Sequence, residues 1–163
     1  MITRVLFSLI LTVLVAGFIY WRVPCDLVLI EFYSKNIRGS LFTGFLTLGG
    51  FLLSLKTFII VKMKENVYDN SEYIKIYERN RKINQGISLY GPLKNLSDLL
   101  YWAILSCIVT SVLQFSLGLY AKWWSVVICI SAAVFSIVLL LFSLLEIKSN
   151  LNKWFELIEN TKT

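Results

Sequence analysis

Residues 41–61, LFTGFLTLGGFLLSLKTFIIV, are the second of four long apolar runs and constrain the chain more than any other stretch. A helix needs about 20 apolar residues, at roughly 1.5 Å each, to cross a bilayer, and this run meets that length. Its small and hydroxyl residues are not scattered. Thr43, Thr47, Gly50, Ser54 and Thr57 recur at spacings of four and three, which sets them on one helical face. Burying leucine against leucine gains little in lipid, so close approach and interhelical hydrogen bonds supply most of the association energy. The stripe is therefore expected to pack against another helix. Lys56 is the only charge well inside any apolar run, and it points away from that stripe.

The other runs follow the same logic. With 57% hydrophobic residues in 163 and a mean hydropathy of +0.71, the chain is too apolar for an ordinary soluble domain. Spans are predicted at about 5–21, 41–61, 99–120 and 123–145. The first, preceded by Arg4, reads as an uncleaved signal-anchor helix, because no small-x-small cleavage site follows it. Ser8, Thr12 and Ala16 give it a close-packing face. In the third, Ala103, Ser106, Thr110 and Gln114 share one face, and in the fourth Ser125, Cys129, Ala132, Ser136 and Ser143 lie roughly on one stripe. Only Ala121 and Lys122 separate these two spans, which makes them antiparallel neighbours.

Three polar segments connect and follow the spans. Residues 22–40 carry mixed charge around the apolar LVLI at 27–30 and suit a short interfacial element, helix or strand, ended by Gly39–Ser40. Residues 62–97 form the longest polar stretch: Asn70-Ser71-Glu72 reads as a helix start, Gly86 as a stop and Gly91-Pro92 as a turn into a new helix. They are expected to project as a cytosolic helical hairpin. The tail, 146–163, reads as an amphipathic helix with Ile147, Leu151, Trp154 and Ile158 on one side. The whole is an all-α membrane protein in a single four-helix transmembrane domain.

Orientation follows from lysine and arginine. Eleven of them fall in the N-terminal flank, the 62–97 loop and the tail, against four (Arg22, Lys35, Arg38 and Lys122) on the opposite side. The positive-inside rule then places both termini and the long loop in the cytoplasm.

Chemistry is sparsely signalled. Histidine is absent, and Cys25, Cys107 and Cys129 sit in separate segments without CxxC spacing, so no metal, cofactor or disulfide framework is expected. No nucleophile–base pair, phosphate loop or paired carboxylate suggests an enzyme. No carboxylate lies within a span, which weighs against a proton-coupled small multidrug transporter; Asp98 and Glu146 stand at span ends. Lys56 lies six residues before Lys62, about 9 Å at helical rise, so snorkelling to the headgroups is the favoured reading over a role in a pore or at a subunit interface. Small residues at three-and-four spacing are ordinary in packed membrane helices, so the Thr43, Thr47, Gly50 and Ser54 stripe favours packing over a water-filled path. In the loop, Lys75, Arg79, Arg81 and Lys82 interleave with Tyr73 and Tyr77. They suit a docking surface for a cytosolic protein as well as a solvated, topology-setting loop, and direct nucleic-acid binding is not expected.

The order of a short signal-anchor, TGFLTLGG at 43–50, YIKIYERNRKINQG at 73–86, LYAKWW at 119–124 and an amphipathic tail resembles KwaA, the four-span membrane subunits of the Kiwa bacterial antiphage system. The resemblance covers the whole chain but is one of layout, with no catalytic motif. It implies a bacterial inner-membrane homo-oligomer, in the tetramer range, that senses infection at the envelope and holds a DNA-binding cytosolic partner on its basic loop. The alternatives are an oligomeric ion-conducting pore that depolarises the membrane and a membrane scaffold unrelated to defence.

Overall fold

A computed structural model describes residues 2–22, 27–83, 88–120 and 122–162. Among these the chain is helical, with no strand. Helix α1 (Ile2–Arg22) is followed by the short α2 (Leu27–Phe32), which runs through a π-helical turn (Tyr33–Ile37) into α3 (Arg38–Met63). A second π-helical turn (Lys64–Tyr68) leads to α4 (Ser71–Ile83). Helix α5 (Gly91–Phe115) begins with Pro92 in its first turn, where the missing N–H costs no intrahelical bond, and ends in a 3₁₀ turn (Leu117–Leu119) before α6 (Trp123–Lys162).

Three helical stretches, Ile30–Tyr68, Gly91–Leu119 and Trp123–Asn152, are long and apolar enough to cross a membrane. The apolar stretch of α1, Val5–Ile19, is shorter. Large side chains such as Phe18, Phe51, Phe58, Val112 and Leu141 lie exposed along these helices, which water would not tolerate over so large a surface but acyl chains match. Trp21, Tyr120 and Trp124 are exposed near helix ends, as interfacial aromatics are.

The main packings are α3 on α5, α5 on α6, and α6 on α1. Three apolar clusters stack along this assembly. At one end Ile30 and Tyr33 meet Val126 and Cys129; in the middle Phe45, Cys107 and Ala133 bring α3, α5 and α6 together; at the other end Met63, Val67 and Tyr68 pack on Leu93, Leu96 and Leu100. Helix α1 joins through Phe7, whose ring stands edge-on to Phe142 at 5.8 Å, and through the fully buried Ser8.

Three boundaries differ from the sequence expectation. Gly39–Ser40 does not end an element: both residues lie inside α3, because the helix enters directly from the π-helical turn. The third span, expected to run to residue 120, ends its α-helix at Phe115, although the helix leading into it opens at Gly91-Pro92 as expected. The tail is no separate helix; α6 continues unbroken for 40 residues, since nothing around Glu146 breaks helical geometry. At helical rise that is about 60 Å, roughly twice the hydrocarbon thickness. The expected stop at Gly86 lies outside the described residues, as do Pro24 and Cys25.

The close approach of α3 to α5 occurs at Gly49. A Cβ there would stand 3.3 Å from Ile108 Cγ1 and 3.5 Å from Cys107 Cβ, whereas one at Gly50 would meet nothing within 4 Å. The packing first assigned to Gly50 thus belongs to its neighbour within the monomer. Gly49→Leu is expected to destabilise the fold by about 1–3 kcal/mol, read as a fall in thermal midpoint in detergent that does not depend on protein concentration; an unchanged midpoint would contradict this seam.

Candidate functional site

Helix α3 presents two different faces. Phe45 and Gly49 are buried against α5 and α6, while Thr43, Thr47, Gly50, Ser54 and Thr57 are all exposed. The stripe singled out in the sequence is therefore left uncovered by the other described residues. Thr43 satisfies its own hydroxyl by donating to the carbonyls of Gly39 (3.0 Å) and Ser40 (3.3 Å). Lys56 is partly buried on the opposite side, with its ammonium 5.2 Å from the centre of the Tyr101 ring on α5. An aromatic face stabilises a cation in a poorly hydrated place. Tyr101 in turn meets Trp102 edge-on at 5.9 Å. Lys56 and the Thr43–Thr57 stripe thus form no common surface.

Within the apolar part of α5, Ser106, Thr110 and Gln114 are buried as their spacing predicts, Ser111 is buried beside them, and each of the four finds a partner. Thr110 donates to the Ala132 carbonyl at 3.1 Å and lies 2.8 Å from the Ser136 hydroxyl. Ser111 reaches across to the Phe42 carbonyl at 3.0 Å, and Ser106 bonds back to Ala103 at 2.8 Å. Gln114 is the hub. Its amide nitrogen donates to the Cys129 carbonyl at 3.0 Å, and its oxygen accepts from the Tyr33 hydroxyl. One face of α5 thus fastens α3 on one flank and α6 on the other.

Tyr33, missed in the sequence, completes this end of the bundle. Its π-helical turn precedes α3, and nothing in the local pattern distinguishes it from an interfacial tyrosine. Beside it Arg38 donates to the Gly118 carbonyl at 3.3 Å, and its stem packs so close that a Cβ on Gly118 would stand 3.1 Å from its Cδ. Ser125 donates to the Leu117 carbonyl and closes the turn into α6.

The loop residues divide into anchors and exposed groups. Tyr73 is not presented outward: its ring packs on Tyr68 at 5.0 Å, and burial raises its phenol pKa. Tyr68 also contacts Tyr90 at 6.2 Å, and Tyr90 donates to the Asp69 carboxylate at 2.8 Å, a bond that holds the phenol proton and raises its pKa. These tyrosines tie the start of α4 to the base of α5. Beyond them Lys75, Arg79, Arg81 and Lys82 are exposed and Tyr77 is half-buried. Glu78 and Lys82, spaced to pair, are both exposed.

Among the described residues no cluster of three or more histidine, cysteine, aspartate or glutamate side chains could hold a metal. Cys107 and Cys129 are buried as free thiols. No family model, curated protein or solved structure matches this chain.

Gln114→Leu is expected to cost about 1–2 kcal/mol and Tyr33→Phe about 1 kcal/mol. Because both changes remove the same bond, the double variant should cost less than the sum of the two, as measured by unfolding in detergent. Additive losses would show that Tyr33 and Gln114 act separately.

Proposed function

We propose that this chain is a non-enzymatic, four-span protein of a bacterial inner membrane that self-associates through α3 and offers α4 to a cytosolic protein. The observation that carries the reading is the division of α3. One face is consumed by α5 and α6, while a second face, with the small and hydroxyl residues that favour close helix contact, is exposed among the described residues. A second copy of α3 is the occupant best matched to that face, because the stripe is continuous from Thr43 to Thr57.

The side of the membrane rests on charge. Arg4, the basic residues of the α3–α5 connection and the lysines of α6 outnumber those of the opposite side eleven to four, which orients both termini and α4 to the cytoplasm. Helix α1 completes the fourth span: its 21 residues give about 32 Å of helix, enough for a hydrocarbon core of roughly 30 Å. The tyrosine anchors hold α4 in a defined attitude while its basic residues stay in solvent, as a docking element requires. The antiphage setting and a DNA-binding partner come from the resemblance to the Kiwa membrane subunits alone.

Charge reversal of Arg79, Arg81 and Lys82 to Glu is expected to abolish partner capture in mild detergent while the oligomer is retained; capture at the native level would refute docking through α4. Gly50→Leu is expected to shift the protein to smaller species by light scattering without altering the monomer's helicity. An oligomer of native size after Gly50→Leu would remove the stripe from the interface.

A further inference from the structure

On the basic side of the protein, α3 and α6 part to leave a groove of about 210 Å³. Phe58, Ile59 and Val67 form one wall, Ile147 and Leu151 the other, and Lys62 and Asn66 stand at its edge. The order of chemistry along α3 matters. Phe58 and Ile59 lie about one turn before Lys62, toward the middle of the span, and Asn66 about one turn after it, in the π-helical turn, so hydrocarbon wall, cation and amide succeed one another at roughly 5–6 Å steps. Such a succession is the order of an acyl chain, a phosphate and a polar headgroup.

We infer that this groove holds an anionic phospholipid of the inner leaflet, one acyl chain between α3 and α6 and its phosphate at Lys62. The inference rests on the membrane orientation proposed above. Lys62 pairs with Glu65 at 3.1 Å, but both side chains are about half exposed, at 53% and 54%. An exposed pair of this spacing contributes little, so the ammonium can turn to a phosphate. On α6, Lys148, next to Ile147, is exposed and adds positive charge on this side of the protein. The site therefore combines an apolar slot with a cation at its edge, and a zwitterionic lipid, with no net charge, would gain less.

The full chain, delipidated in mild detergent, can be offered equal amounts of phosphatidylglycerol and phosphatidylcholine with matched acyl chains, and the retained lipid read by native mass spectrometry. Phosphatidylglycerol is expected to be retained preferentially, and Lys62→Gln to reduce that preference about five-fold. Lys94→Gln, an equal loss of charge at an exposed residue outside the groove, is expected to leave it intact. Equal retention of the two lipids by the native chain, or equal loss in both variants, would overturn the lipid site while leaving the membrane reading in place. Release of the native chain from membranes by alkaline carbonate without detergent would instead overturn the membrane reading, and this site with it.

Discussion

Inside a bilayer no water satisfies a polar side chain, so every hydroxyl and amide on a spanning helix must find its partner on a helix. The polar face of α5 meets that requirement. Thr110, Ser111 and Gln114 are spread over little more than one turn, and between them they reach α3 at the Phe42 carbonyl, the turn before α3 at Tyr33, and α6 at Ala132, Ser136 and Cys129. Each bond is worth only about 1 kcal/mol in membrane proteins, yet together they fix register. Sliding α5 by one residue along either neighbour would strand several polar groups in hydrocarbon at once. The apolar contacts of Phe45, Cys107 and Ala133 then fill the space that this register defines.

The same constraint explains why some of the fold was legible in the sequence and some was not. The stripes of α5 and α6 read correctly because polar residues at three-and-four spacing in an apolar run have one cheap place to go, the seam with another helix. Ser8 on α1 followed the same rule and is fully buried, while the partly buried Thr12 satisfies its hydroxyl within its own helix, donating to the Ser8 carbonyl at 2.8 Å. On α3 the rule was ambiguous. Small residues occupy two faces there, and spacing alone could not say that Gly49 would meet α5 while Gly50 faced outward. The π-helical turns on either side of α3 left no trace, since a π turn differs from an α turn by one inserted residue and needs no special side chain. Tyr33 was hidden for the same reason, its burial depending on that turn. The unbroken α6 was also illegible, because a change from apolar to amphipathic composition looks the same whether or not the helix bends.

The arrangement has a consequence for how the two ends of the molecule differ. At the end formed by Tyr33, Arg38, Gly118 and Ser125, hydrogen bonds lock the turns between helices. At the other, the junction is made of aromatic rings and leucines, with Tyr68 between Tyr73 and Tyr90. Both ends also hold an apolar cluster, and the second adds the Tyr90–Asp69 hydrogen bond, but its larger part is aromatic and aliphatic surface; α4 and the extension of α6 both leave from it.

Cysteine accessibility tests the account most directly. In a variant with Cys25 replaced by serine, single cysteines at Lys35 and Arg79 are offered a membrane-impermeant thiol reagent on intact cells. The account predicts labelling at position 35 and none at 79 until the membrane is permeabilised. Labelling of position 79 from outside intact cells would contradict the threading on which both the α3 assembly and the α4 surface depend.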